Sequence, residues 1–281
     1  MEEPHMEIDI EIGQAAYGKD GVRVLTRTRA GGVESVRDAC VGVRVDGDFL
    51  ESYRSGGNAA ILPSDTLRRH VLAEADRRPD AGLESLLGAI AARILAANPA
   101  VRRVVASAQA RRWEAVGEHS FVVAPSRTTG EARLVRGEPV DLRGGFRGLE
   151  LLMSTGSGFT GFMRDELTTQ ADASDRPLCG TLDADWTYAA GLDPPGGLAQ
   201  EIAGRLVAAF ADRPSNAVQQ LLTGIGSDVL VQSVELAGIR LHFDSVAASP
   251  IPAALSAPGG VGTYELGVGA VGVTDVALRR A

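Results

Sequence analysis

The order in which the hydrophobic period changes along the chain constrains its fold most. From Ile8 to about Tyr53, short alternating runs such as VRVLTRT and ACVGVRVDGDF are broken by Asp20-Gly21, Gly31-Gly32 and Asp46-Gly47, the punctuation of antiparallel hairpins. At Ser64 the period lengthens. Ser64 or Asp65 is placed to cap a helix through LRRHVLAEA, and after Pro79-Asp80 a second helical run, LESLLGAIAARILAA, reaches Asn98. Alternation returns in VRRVVASAQARRWEAV, HSFVVAPSR and EARLVRGEPVDL. The second half repeats the order, with LELLMST and TLDADWTYAAG as strands and GGLAQEIAGRLVAAFADR and NAVQQLLTGIGSDVL as helices. Strands SVELAGIRLHFDSV and GTYELGVGAVGVTDVAL follow, joined by a loop over Ala247 to Gly260. Two strands, two helices and two strands, occurring twice, predict an α+β fold of two similar halves, residues 1–140 and 141–281. The sheets are antiparallel and the helices lie on one face.

Charge and motifs remove several function classes. A net charge of -8 argues against a grip on nucleic acid or an anionic membrane, both of which want a basic face. No apolar run approaches the ~18 residues of a membrane span. The start MEEPHMEIDIEI lacks the basic and then apolar signature of a signal peptide, which points to the cytoplasm. Cys40 and Cys179 stand far apart, so neither a disulfide framework nor a thiolate metal site is implied, and a reducing compartment suits them. His5, His70, His119 and His242 are scattered without metal-ligand spacing, so no metal is expected. Gly156, Gly158 and Gly161 satisfy GxGxxG, but no βαβ pattern surrounds them and no dinucleotide cofactor is expected. Carboxylates at Asp165-Glu166, Asp183 and Asp185 read as caps, turns or surface. High Ala, Arg and Gly content suggests a GC-rich bacterial source.

The stretch Ser154 to Arg176 carries the strongest chemical signal. A planar, polar-edged heterocycle needs a guanidinium for paired hydrogen bonds and an aromatic face for stacking. Phe159 and Arg176 are that pair.

Tyr17-Gly18-Lys19-Asp20 with Val22-Arg23-Val24, then Ser64-Asp65-Thr66, Gly161-Phe162, Arg164-Asp165-Glu166 and Thr168-Thr169 resemble the urate oxidase (uricase) family. Ser120-Phe121, Asp175-Arg176, Asp183-Ala184-Asp185-Trp186, Val218-Gln219 and the segment from Val234-Glu235 to His242 extend the likeness over most of the chain. The resemblance implies tandem tunnelling-fold (T-fold) domains, a homotetramer with active sites between subunits, and neither metal nor organic cofactor. It implies that Phe159 stacks on the purine, that Arg176 and Gln219 hold its dione edge, and that the Val218 amide assists. Asp65 matches the acidic neighbour of the family's catalytic threonine, whose own place is taken by Ser64. Lys19 and His242 match the other members of the proton relay.

From this resemblance follows a chemistry in which urate itself is the electron donor to molecular oxygen. Lys19, acting through Ser64, draws a proton from bound urate, and Arg176 with Gln219 holds the resulting charge. Oxidation then gives 5-hydroxyisourate and hydrogen peroxide. Two departures stand out. The family's asparagine at the oxygen site falls on Arg240, and its tryptophan after the stacking phenylalanine falls on Thr160. The cation at Arg240 leaves two alternatives open: oxidation of another electron-rich N-heterocycle, or a non-catalytic purine-binding homologue.

Overall fold

A computed structural model describes residues 11–30, 33–211, 213–251, 262–267, 269 and 271–280. The expected Gly31-Gly32 turn and most of the loop before Gly260 lie outside the described residues. Eight strands form one antiparallel sheet in the order β1-β2-β3-β4-β5-β6-β7-β10. They are β1 (Ala16–Ala30), β2 (Val33–Gly47), β3 (Val101–Ala115), β4 (Phe121–Val135), β5 (Asp141–Phe159), β6 (Ala173–Tyr188), β7 (Leu236–Val246) and β10 (Gly272–Arg279). A separate small ribbon pairs β8 (Ala248–Pro250) with β9 (Tyr264–Leu266). The helices are α1 (Leu50–Arg54), α2 (Ser64–Arg77), α3 (Leu83–Ala97), α4 (Leu198–Phe210) and α5 (Val218–Gln232). The doubled order is therefore present, with four sheet strands and a long helix pair on each side of residue 140.

Alternation decides which side of the sheet the helices cover. Val43, Ala106, Ala132 and Leu142 stand opposite one another across β2 to β5, and all four are buried. Leu182 and Ala184 on β6 face Phe243 and Leu241 on β7, again buried. On the helix side, Leu67, Val71 and Ala75 of α2 and Leu87, Ile90 and Ile94 of α3 recur at helical spacing and are inaccessible to solvent. Each such large aliphatic side chain stabilises the fold by about 1.5–3 kcal/mol. The opposite face is polar, with Gln109 opposite Thr129 and Asp185 opposite Arg240, and Gly145 in register between the two pairs.

Gly144 and Gly145 lie within this sheet because two neighbours leave no room for side chains. A Cβ on Gly144 would sit 2.4 Å from Trp186 Nε1 and 2.5 Å from Glu84 Oε1. The buried Glu84 carboxylate accepts a 2.9 Å hydrogen bond from Tyr188, tying α3 to β6 across the two halves. Burial raises the pKa of both groups.

Three local expectations are corrected. Neither Ser64 nor Asp65 caps α2: Pro63 occupies that position at φ -54°, with no side-chain cap. A proline fixes φ and has no N–H to satisfy, which suits a helix boundary. Asp65 lies in the first turn instead, bonded at 2.8 Å by both Arg68 and Arg69. The strand region expected to reach Tyr53 ends at Gly47, where the short helix α1 takes over. EARLVRGEPVDL is divided between β4 and β5 by a turn at Gly137, whose φ is +87°.

Candidate active site

The end of β5 is held between two segments that bring distant residues to one place. Ser157 pairs with Arg176 of β6 on one side and forms a parallel bridge with Ser215 on the other. The Gly158 amide donates to the Ser215 carbonyl at 2.8 Å, and the Ser215 amide donates to the Gly156 carbonyl at 2.9 Å. Glycines make this approach feasible: a Cβ on Gly158 would stand 2.8 Å from Asn216 Oδ1, and Gly156 has φ +86°. Gly156 and Gly158 therefore serve to join β5 to the segment leading into α5.

That junction sets Phe159 and Arg176 next to the segment that leads into α5, which opens with Val218 and Gln219. The Arg176 guanidinium carbon lies 5.4 Å from the centre of the Phe159 ring. Its Nε is buried and has no hydrogen-bond partner among the described residues. A buried, unsatisfied cationic donor is costly to leave without an acceptor. Val218 and Gln219 open α5, whose boundary residue Ala217 provides no side-chain cap. Amides in a helix's first turn have no carbonyl of their own helix to bond, and they carry the positive end of its dipole. A stacking face and a planar cation thus stand together, and the bridge at Ser215 ties the strand that carries Phe159 to the entrance of α5.

Lys19 belongs to a second group. It stands opposite the buried Val43, so its side chain starts on the helix side of β1, as does that of Tyr17 opposite Val45. The Leu62 amide donates to the Tyr17 hydroxyl at 2.8 Å, which brings the start of α2 over this edge. Lys19 is half-buried, and Ser64 and Asp65, at the entrance of α2, are exposed. Paired arginines, with Arg68 the larger influence, hold the Asp65 carboxyl below its ordinary pKa. Five strand-to-strand steps separate β1 from β6, roughly 24 Å across the sheet. One chain does not bring Lys19 to Arg176.

His242 and Arg240 form a third group. Both alternate with the buried Ile239, Leu241 and Phe243, so they project from the polar face, whereas Arg176 shares the helix side with the buried Leu178 and Leu182. Asp183, opposite His242 on β6, is seven residues from Arg176, roughly 23 Å along the strand. The structure therefore does not join Arg240 or His242 to the ring clamp within one chain. It places His242 between two carboxylates, with Nδ1 3.1 Å from Asp275 Oδ1 and Nε2 3.2 Å from Asp244 Oδ1. The bond to Asp275 chiefly raises the His242 pKa, with Asp244 and Asp183 adding to it. Arg240 lies 3.8 Å from the same Asp275, and Arg147 bonds Asp185 at 2.5 Å.

Neither carboxylate was anticipated from the sequence: the two-residue spacing of a strand face is a signal that marks Asp244 beside His242, whereas strand register alone carries the Asp275 pairing. Ser215 was also missed, since nothing local marks a bridge to β5.

A sequence model described as Uricase matches residues 15–132 and 142–253. The chain belongs to the uricase family. It is 30% identical over 238 residues to a uricase of Arthrobacter globiformis, covering 83% of this chain and 78% of that one. A uricase of Haloferax volcanii is 30% identical over 254 residues, covering 80% of this chain and 82% of the other. The crystal structure of the Arthrobacter globiformis uricase superposes with a TM-score of 0.87 at 26% identity, over 97% of this chain and 96% of that one. The uricase architecture is thus the α+β fold read from the doubled element order and the T-fold that the family resemblance implied.

Proposed function

We propose that this uricase-family chain oxidises urate with molecular oxygen, adding water to give 5-hydroxyisourate and hydrogen peroxide. The observation that carries the reading is Arg176: a buried guanidinium Nε without a partner among the described residues, beside the Phe159 ring. Urate fits this arrangement. Its ring stacks on Phe159, its dione edge meets Arg176 and Gln219, and the Val218 amide supplies a further donor. Family membership supports the same substrate. Holding negative charge there makes the ring a better electron donor, so the organic substrate supplies both electrons and oxygen accepts them as peroxide.

The proton transfers fall to Lys19 acting through Ser64, and Asp65, next to Ser64, is counted with the substrate-binding residues. Because Lys19 and Arg176 lie far apart across one sheet, each site takes its clamp from one copy and Lys19, Ser64 and Asp65 from another. This supports a homo-oligomer, read here as a tetramer of chains with T-fold domains at 1–140 and 141–281. His242 and Arg240 belong to the charged ladder of the polar face, outside the clamp of their own chain, and the proton transfers proposed for Lys19 and Ser64 do not run through them. Arg240, neutralised in part by Asp275, leaves the ring clamp as it is. Among the described residues no helix is long and apolar enough to cross a membrane, and Cys40 and Cys179 are both unpaired. We place the enzyme in the reducing cytoplasm on that account.

Oxygen uptake with urate, recorded alongside loss of urate absorbance, tests the proposal. One mole of oxygen consumed and one of peroxide formed per mole of urate is the expected result. Urate binding without oxygen uptake would leave a binding protein and overturn it.

A further inference from the structure

The Phe159 ring is half covered already. Phe162 lies parallel to it, with an interplanar angle of 9° and ring centroids 4.7 Å apart. On Phe162 sits the Arg164 guanidinium, 4.5 Å from the ring centre. Arg164 donates in turn to the Gln170 carbonyl at 2.8 Å and lies 3.4 Å from the Asp172 carboxylate. The reversal that folds Phe162 back over three residues turns at Gly161, with φ +69°, and the Gly161 amide donates to Asp172 at 3.2 Å. Asp172 therefore pins both ends of the reversal. Phe162 is located by the chain itself, independently of any ligand.

A phenyl ring offers two faces. The hydrogen bonds from Arg176 to a heterocycle run in the heterocycle's own plane, so a ring that stacks on Phe159 and meets Arg176 must lie on the face which that guanidinium overhangs. We infer that Phe162 stacks on the Phe159 face opposite Arg176 and is a positioning residue for the clamp: it backs Phe159, fixing the ring's tilt and leaving a planar purinedione the face beneath Arg176. Offset parallel ring pairs contribute beyond their buried area, and Arg164 over the outer ring adds a cation–π contact at the far end of the stack. Without the backing, Phe159 turns about its side-chain bonds and the ligand meets a mobile face. Met163, Thr160 and the rest of the reversal remain exposed, so the stack rests on Phe162 and Arg164 rather than on general burial.

This inference rests on the urate reading above. Its test measures urate affinity under nitrogen, where no turnover occurs, together with aerobic KM and kcat. Phe162→Ala is expected to raise both the anaerobic Kd and KM about three- to tenfold with kcat within about twofold, and Phe162→Tyr to restore wild-type values. Phe162→Leu, which keeps bulk but not a plane, should behave as the alanine variant does and stands in if that variant fails to fold. Unchanged affinity in the alanine and leucine variants overturns the inference. So does tighter binding, which would make Phe162 an occupant of the substrate's own place. Wild-type protein that neither binds nor oxidises urate overturns both readings together, a pattern distinct from a variant that matches an active wild type.

Discussion

At the scale of single residues, the clamp and the base are separable in kinetics. Arg176 presents a planar fork that lysine cannot reproduce. Arg176→Lys should therefore raise the KM for urate at least about tenfold, since a hydrogen bond to a charged group is worth about 1.5–3 kcal/mol, measured by urate absorbance at fixed oxygen. Lys19 touches no part of the clamp in its own chain. Lys19→Met should leave KM within a few fold and lower kcat by about 10²–10⁴, the usual contribution of a positioned general base. Full activity in that variant would remove Lys19 from the mechanism. Ser64, at the first position of α2 rather than at its cap, is free to pass a proton without being needed to hold the helix end.

At the scale of elements, the polar face makes a pH-dependent claim. The His242 pKa is raised, first by Asp275 on β10 and then by Asp244 and Asp183. A raised pKa means the folded chain holds this proton more tightly than the unfolded one. The stabilisation is therefore complete below the ordinary histidine value near ~6.5 and is lost as pH rises through the higher folded value. Asp275→Asn should move the His242 titration downward, read from its imidazole resonances by NMR. A titration that stays in place would show that Asp275 does not hold the proton. Much of the fold around this ladder was legible beforehand. The four long helices announced themselves through period, as Leu67, Val71 and Ala75 illustrate, and the alternation through β6 and β7 separated Leu182 and Leu241 from Asp183 and His242. What sequence left hidden depends on register or close approach: the His242–Asp275 pair, the Ser157–Ser215 bridge, and the fold-back of Phe162. Helix α1 escaped because five residues after a strand contain too little period to read. Phe159 and Arg176 were legible as types suited to a flat ring, whereas the family likeness supplied Gln219, Val218 and Lys19.

At the scale of the whole molecule, the separation of Lys19 from Arg176 by five strand steps supports the central proposal, that the active site is completed by a second copy. The edge strands β1 and β10 leave both margins of the sheet open, and Lys19 lies on one of them. A chain isolated as a monomer then holds a clamp without a base. Complementation between two disabled variants addresses this directly. Lys19→Met retains the clamp and Arg176→Gln retains the base, so co-expressed chains that assemble at random rebuild one intact site in each mixed pair. Urate oxidation should return to roughly a quarter of the wild-type rate from two preparations that are each nearly inactive. A mixture that stays as inactive as either variant, beside an active wild type, would place both groups in one chain's site and contradict the account.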